Sequence, residues 1–232
     1  MFTLDQVVPW GRSYAEYRRM FALADDELSA KRVLGCADGP ASFNAEAAAR
    51  GVRVVSCDPL YRLGEAQIRE RIVATSGEVL EQTRRNAHEF LWREIPSIEA
   101  LGALRKQAMH AFLDDFGSPA RAGRYVAAAL PALPFANDAF DLAVCSHFLF
   151  LYSTQMSEGF HTGAVDELCR VAADVRIFPL VALGATPSPH VAAVAARAAA
   201  RGCVVSIETV PYEFQRGANQ MLRLVRSRAG QA

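Results

Sequence analysis

From residue 31 onward the chain alternates between short apolar runs and stretches in which apolar residues recur at every third or fourth position. Val33-Leu34 is an apolar run of the kind found in a buried parallel strand, and Val52 to Cys57 reads as a second strand, ending in the acid Asp58. Between them, Ser42 to Arg50 reads as an alanine-rich helix, entered through a turn that contains Gly35 and Gly39. Strand-like runs return at Tyr125 to Leu130, Leu142 to Cys145 and Val175 to Phe178, the last ended by Pro179. Helices are predicted through Glu167 to Val171 and from Pro189 to Arg201, and Cys203 to Val210 with Met221 to Val225 predict two closing strands. This alternation predicts a single α/β unit spanning residues 1–232.

Two stretches depart from it. Residues 1–30, with Pro9-Trp10-Gly11 and the aromatic-basic run Tyr14 to Phe21, predict an N-terminal helical cap of one or two helices over the mouth of the sheet. Tyr14 and Tyr17 on this cap are candidates to touch a ligand, against the plainer expectation that they pack the cap onto the sheet. Residues 62–123 are far longer than the ~2–6 residues of an ordinary βα connection. Helical periodicity runs from Leu63 to Trp92 and from Ile98 to Phe116, broken at Pro96-Ser97, so this is a helical insertion after the second strand, a lid or a dimer surface. His88 and His110 fall on it without a neighbouring ligand triad and are expected to be surface or packing residues rather than metal ligands.

The chemistry concentrates at residues 31 to 60. A glycine turn before a helix presents free N–H groups to an anion, and Asp58 at the carboxyl end of the second strand is placed to accept hydrogen bonds from ribose hydroxyls. The three-glycine dinucleotide fingerprint is missing: Ala37 and Ala41 stand where a pyrophosphate-hugging turn prefers glycine. An NAD-dependent oxidoreductase is therefore the weaker alternative. S-adenosylmethionine asks less of the loop, because it offers an adenosine to Asp58 and an amino-acid tail, not a diphosphate, to backbone groups.

Three segments, VLGCADGPA, SCDPLY and LPALPFANDAFDLAVCSHFLFLY, together resemble the class I S-adenosylmethionine-dependent methyltransferases. In the third, Leu133-Pro134-Phe135 precedes a turn at Asn137-Asp138, and Phe140-Asp141 enters the apolar strand. The combination with VRIFPL and YEFQRGANQML resembles a bacterial subgroup of that family. The resemblance implies a Rossmann-like seven-stranded, mostly parallel sheet with helices on both faces and an antiparallel last strand. It also implies a cofactor site at Gly35, Cys36, Ala37, Asp38, Gly39, Pro40, Asp58, Pro59, Ala129, Leu130, Cys145 and Ser146. Two positions depart from the family's pattern. Gly35 stands where an acid is usual, with Asp38 in the loop as a replacement, and Ala129 stands where an acid or amide often meets adenine. A fold member that has lost its cofactor and acts by binding a partner would show the same erosion.

Methyl transfer from a sulfonium is an in-line displacement that needs alignment and shielding from water. A histidine can take the proton of a hydroxyl or amine acceptor, and His147, at the mouth after the fourth strand, is the first candidate, with His161 second. Tyr152, Arg216 and Asn219, with Tyr212, are candidates to orient an acceptor. Composition adds exclusions. Lys plus Arg equals Asp plus Glu at 25 each, so no global field draws the chain to nucleic acid, and a small-molecule acceptor is expected. The five cysteines form no C-x-x-C and read as reduced thiols. Met1 to Asp5 resembles no signal peptide and no apolar run is long enough for a membrane span, which points to the cytoplasm. A homodimer and the absence of a metal complete the expectations.

Overall fold

Successive residues of a strand point to opposite faces of its sheet, and that period sorts the interior of this protein into two cores. In the computed structural model the described residues are 2–4 and 7–226; Met1 and Asp5, read above for a leader, and the chain beyond Arg226 lie outside them. Seven strands, β1 (Arg32–Cys36), β2 (Arg53–Cys57), β3 (Tyr125–Val126), β4 (Phe140–Ser146), β5 (Ala172–Phe178), β6 (Cys203–Thr209) and β7 (Gln220–Arg226), form one sheet in the order 3-2-1-4-5-7-6. The first five pair in parallel, and β7 runs antiparallel to both β5 and β6. The Rossmann-like sheet with a reversed last strand is thus present.

Leu34, Cys36, Ala143, Cys145 and Val175 face one way, against α6 (Glu158–Val171) and α7 (Val191–Ala200). Val33, Val54, Leu142 and Val144 face the other, against α1 (Tyr14–Met20), α2 (Asp25–Ser29) and α3 (Phe43–Ala48). The insertion carries α4 (Glu65–Arg85) and α5 (Ile98–Phe116), which pack on each other while α5 also packs on α3. No helix among the described residues is long and apolar enough to cross a membrane.

The structure differs from expectation in three places. The helix expected to reach Trp92 ends at Arg85, because Phe90 and Trp92 pack their rings against Phe214, the latter edge-on, and Leu91 N–H donates to the Phe214 carbonyl at 2.7 Å, which draws the chain out of helical geometry. Of the strand expected at Tyr125 to Leu130, only Tyr125–Val126 joins the sheet, because its neighbour β2 stops at Cys57; Ala129 makes an isolated bridge with Ala132 instead. Residues 7–13 are not helical, so the cap is an extended strip followed by α1 and α2.

One buried network ties these pieces together. Ser13 and Glu16 form a capping box at the start of α1, and the same Glu16 carboxylate receives both terminal nitrogens of Arg105 from α5, at 2.7 and 2.6 Å. Tyr212, between β6 and β7, donates its hydroxyl to Glu16 at 3.0 Å. Burial alone would raise the Glu16 carboxyl, but Arg105, aided by Arg12 and the Ser13 N–H, outweighs it and holds it at about 2.

Arg105→Ala leaves a buried carboxylate without its cation and is expected to lower the unfolding free energy by ~3–5 kcal/mol in urea titrations. The Glu16 carboxyl lies below its ordinary value of 4.5, so its contribution is present above that pH and is lost as pH falls toward about 2. Acid titration of the unfolding midpoint is expected to show that loss in the wild type and a weaker one in Glu16→Gln.

Candidate active site

The carboxyl ends of β1, β2 and β4 meet on one side of the sheet, and the loop after β1 turns there through two left-handed residues, Ala37 (φ 56°) and Gly39 (φ 53°). The loop is anchored to the neighbouring strand by the Ala37 N–H, which donates to the Cys57 carbonyl at 2.8 Å. Asp58 follows β2 and caps a short 3-10 turn, Pro59–Arg62. Its two carboxylate oxygens accept from the backbone N–H groups of Gly39 (2.9 Å) and Leu60 (2.8 Å). Tyr61 in that turn donates its hydroxyl to the Gly39 carbonyl at 2.7 Å, so the loop and the strand-end acid form one rigid corner. Burial raises the Asp58 carboxyl to about 6, against the two N–H donors that favour its charge.

Gly35 is not the turn residue that the pattern suggested. It lies inside β1, and a Cβ on it would sit 1.8 Å from Oδ2 of Asp38. The Asp38 carboxylate thus fills the space into which a side chain at position 35 would point. Tyr17 of α1 donates to its Oδ1 at 2.8 Å and Ser56 of β2 to its Oδ2 at 2.6 Å. Burial, reinforced by nearby Asp58, raises the Asp38 carboxyl to about 7, with the two hydroxyl donors opposing. Tyr17 is therefore a wall of the site, while Tyr14 is a core residue stacked on Phe43.

β4 delivers His147 to the same mouth. The residue is left-handed (φ 50°), held there by its N–H donating to the Phe178 carbonyl at 2.7 Å. Nδ1 lies 3.0 Å from the Ser146 hydroxyl, and Nε2 has no hydrogen-bond partner among the described residues. Burial, then the charges of Arg12 and Arg105, push its pKa well below the usual 6.5, so the imidazole is neutral at physiological pH and can accept a proton.

These groups share one cleft with about 1370 Å³ of empty space, its open mouth included. Of the expected site residues, Cys36, Ala37, Asp38, Gly39, Asp58, Pro59, Ala129, Leu130, Ser146, His147 and Tyr152 line it. Gly35, Pro40 and Cys145 stand behind the wall. His161 is fully buried in α6, its ring nitrogens 2.8 and 2.7 Å from the carbonyls of Ser157 and Leu149, and it does not reach the cleft. Arg216 is exposed and donates to the His88 carbonyl, and the Asn219 carbonyl accepts the Val210 N–H in the last hairpin. Tyr212 is buried on Glu16, and His88 and His110 lie on the surface.

Sequence reading missed the apolar half of the cleft. Phe2, Leu4, Val8 and Trp10 come from the N-terminal strip, Val79 and Phe90 from the insertion, and Phe148, Leu151 and Phe214 from the loops after β4 and β6. Arg12 was missed as well. The only signal was Pro9-Trp10-Gly11 immediately before it, which marks an extended, closely packed strip rather than a helix start.

No family model matches the chain. The uncharacterized protein MJ0045 of Methanocaldococcus jannaschii is 31% identical over 221 residues, which cover 94% of this chain and 96% of that protein. The subgroup resembled by the motifs is bacterial, whereas this relative is archaeal. Among solved structures, magnesium protoporphyrin IX methyltransferase of Synechocystis PCC 6803 with bound SAH is 14% identical at a TM-score of 0.48, covering 88% of this chain and 77% of that one. A mutant of the 16S rRNA (adenine(1408)-N(1))-methyltransferase of Catenulisporales acidiphilia is 17% identical at 0.46, covering 90% and 94%. Likeness at that level bears on neither activity nor acceptor.

Gly35→Ala is expected to drive the Asp38 carboxylate from its place and destabilise the chain by ~1–3 kcal/mol, with Asp38→Gly in the same background recovering part of the loss. The Asp38 carboxyl titrates at about 7 rather than its ordinary 3.8, so the folded chain holds the proton more tightly and stability falls as pH rises between those values. Urea unfolding at about pH 5 and about pH 8 is expected to show a smaller drop for Asp38→Asn than for the wild type.

Proposed function

We propose a methyl-transfer function for this chain, which belongs to the protein family that includes MJ0045 of Methanocaldococcus jannaschii. The reading is that of an S-adenosylmethionine-dependent methyltransferase acting on a small-molecule acceptor. The observation that carries it is the corner where Asp58, the Ala37–Gly39 loop and His147 open onto one cleft at the carboxyl ends of β1, β2 and β4.

The residues present fit the cofactor. Each Asp58 oxygen accepts one backbone N–H and keeps acceptor capacity for a ribose hydroxyl. A Cβ on Gly39 would meet only Asp58, at 4.0 Å, so the loop stands open toward the cleft. Ala128, Ala129 and Leu130 would border adenine through backbone and apolar contacts. Asp38 supplies from the loop the carboxylate that position 35 lacks, which supports a working cofactor site over a fold member that acts only by binding a partner. When bound, S-adenosylmethionine would supply a methyl group on a sulfonium, the electrophile of a single displacement. His147 would accept the acceptor's proton at Nε2, while its Nδ1 stays with the Ser146 hydroxyl. The insertion acts as a lid in this reading, because Val79, Thr83, Phe90, Leu101 and Arg105 wall the cleft. The apolar walls from Phe2 to Phe214 exclude water from the displacement and suit an acceptor with an apolar body.

Calorimetric titration with S-adenosylmethionine, S-adenosylhomocysteine and NAD tests this reading. Both sulfur ligands are expected to bind the wild type, and Asp58→Ala is expected to weaken them by ~10- to 100-fold, the scale of lost charge-assisted hydrogen bonds. Absence of binding by either sulfur ligand would falsify the cofactor assignment, and a preference for NAD would replace it with the oxidoreductase. With an acceptor in hand, His147→Ala is expected to lower kcat by ~10²–10⁴-fold while leaving homocysteine-ligand affinity intact.

A further inference from the structure

Arg12 is a charge in the cleft that none of the protein's own described acids pairs with. Its backbone is pinned to the cofactor loop: a Cβ on Gly11 would fall 2.0 Å from the Pro40 carbonyl oxygen, and the Ser42 N–H donates to the Arg12 carbonyl at 3.0 Å. From there the side chain reaches the cleft wall that also carries Tyr17, His147 and Tyr152. Nη1 donates to the Trp10 carbonyl at 3.1 Å, and the buried Nε has no partner among the described residues. Among the described residues no carboxylate lies within ion-pair distance of it.

The acids nearby are already committed. Glu16 gives both oxygens to Arg105 and accepts from Ser13 and Tyr212; Asp38 holds Tyr17 and Ser56; Asp58 holds two backbone N–H groups. Burial, then the repulsion of Arg105, disfavours the Arg12 cation, and its field reaches His147 and Tyr152. An arginine does not escape such a position by losing its proton, so the charge stays in the cleft. A guanidinium that lines the cleft without a carboxylate of its own among the described residues is a counter-ion waiting for an anion. One free guanidinium balances one negative charge, which fits a carboxylate better than a doubly charged phosphate.

We infer that Arg12 is the binding residue for a carboxylate carried by a ligand of this cleft. The inference rests on the cleft being the reaction site argued above. Two ligands bring that chemistry: the amino-acid tail of the cofactor, and an acceptor whose apolar body lies against Phe148 and Phe214 while its carboxylate reaches Arg12.

Calorimetry on wild type, Arg12→Gln and Arg12→Lys separates the sources, with circular dichroism melting to establish that each variant is folded. The probes are S-adenosylhomocysteine, 5′-methylthioadenosine, which keeps the adenosine and sulfur without the amino-acid tail, and benzoate against benzamide on protein saturated with S-adenosylhomocysteine. The glutamine variant is expected to lose ~10- to 100-fold affinity for the carboxylate ligand, and the lysine variant to recover part of it. Loss for S-adenosylhomocysteine with 5′-methylthioadenosine unchanged assigns Arg12 to the cofactor's tail; loss for benzoate alone assigns it to the acceptor. Equal binding of every probe by wild type and Arg12→Gln overturns the inference. So does a wild type that prefers neither carboxylate ligand over its uncharged counterpart. If neither adenosine ligand binds yet benzoate binds through Arg12, the cofactor reading falls and the anion site stands.

Discussion

The buried pair between Glu16 and Arg105 is the constraint on which the shape of the cleft depends. The strip before α1, the insertion helix α5 and the segment between β6 and β7 are far apart in the chain, and each contributes a wall. Glu16 joins them at one carboxylate, which caps its own helix, receives a guanidinium from α5 and accepts the Tyr212 hydroxyl. Apolar side chains of equal volume would hold these segments with similar strength, because a buried ion pair gives back much of its Coulomb energy as desolvation. What the pair adds is direction. A fork of two short hydrogen bonds accepts one register of α5 against α1, whereas an apolar contact tolerates several.

The same pairing sets the electrostatics of the cleft. With Arg105 matched to Glu16, the charges left facing the interior are Asp38 and Asp58 at the loop corner and Arg12 farther along the wall. The two acids lie close enough that the charge of Asp58 raises the Asp38 carboxyl, and the two guanidinium groups help keep His147 neutral. Acid at one end, cation along the wall and an uncharged base between them form a polarised channel with apolar sides. Such a channel orients a ligand that carries both kinds of charge.

Much of the fold was legible because both faces of the sheet are covered. Apolar runs such as Leu142 to Cys145 mark a buried parallel strand, and the alanine-rich stretches are helix formers. The loop corner was legible for a related reason: Asp58 and Gly39 lie where a local turn puts them, and contacts within about twenty residues suffice. Gly35 was misread because its role is defined by a neighbour. Nothing in the strand pattern says that its missing side chain makes room for Asp38. His161 and Arg216 carry suitable chemistry, yet packing spends them on backbone carbonyls, of Ser157 and Leu149 for the first and of His88 in the insertion for the second, while Asn219 lies in the last hairpin.

Strand and helix order, the existence of the insertion and the acid at the tip of β2 are all written in the chain itself. Local propensity, hydrophobic period and turn chemistry act over a few residues, and each of those features is specified at that range. Packing alone put the Asp38 carboxylate in the space above Gly35, stood Arg12 in the cleft without an acid, and turned Phe2, Phe90 and Phe214 toward one chamber. Most of those contacts join segments remote in the chain. They depend on which of several acids each arginine meets once the segments are packed, and that choice is made by burial and geometry rather than by spacing.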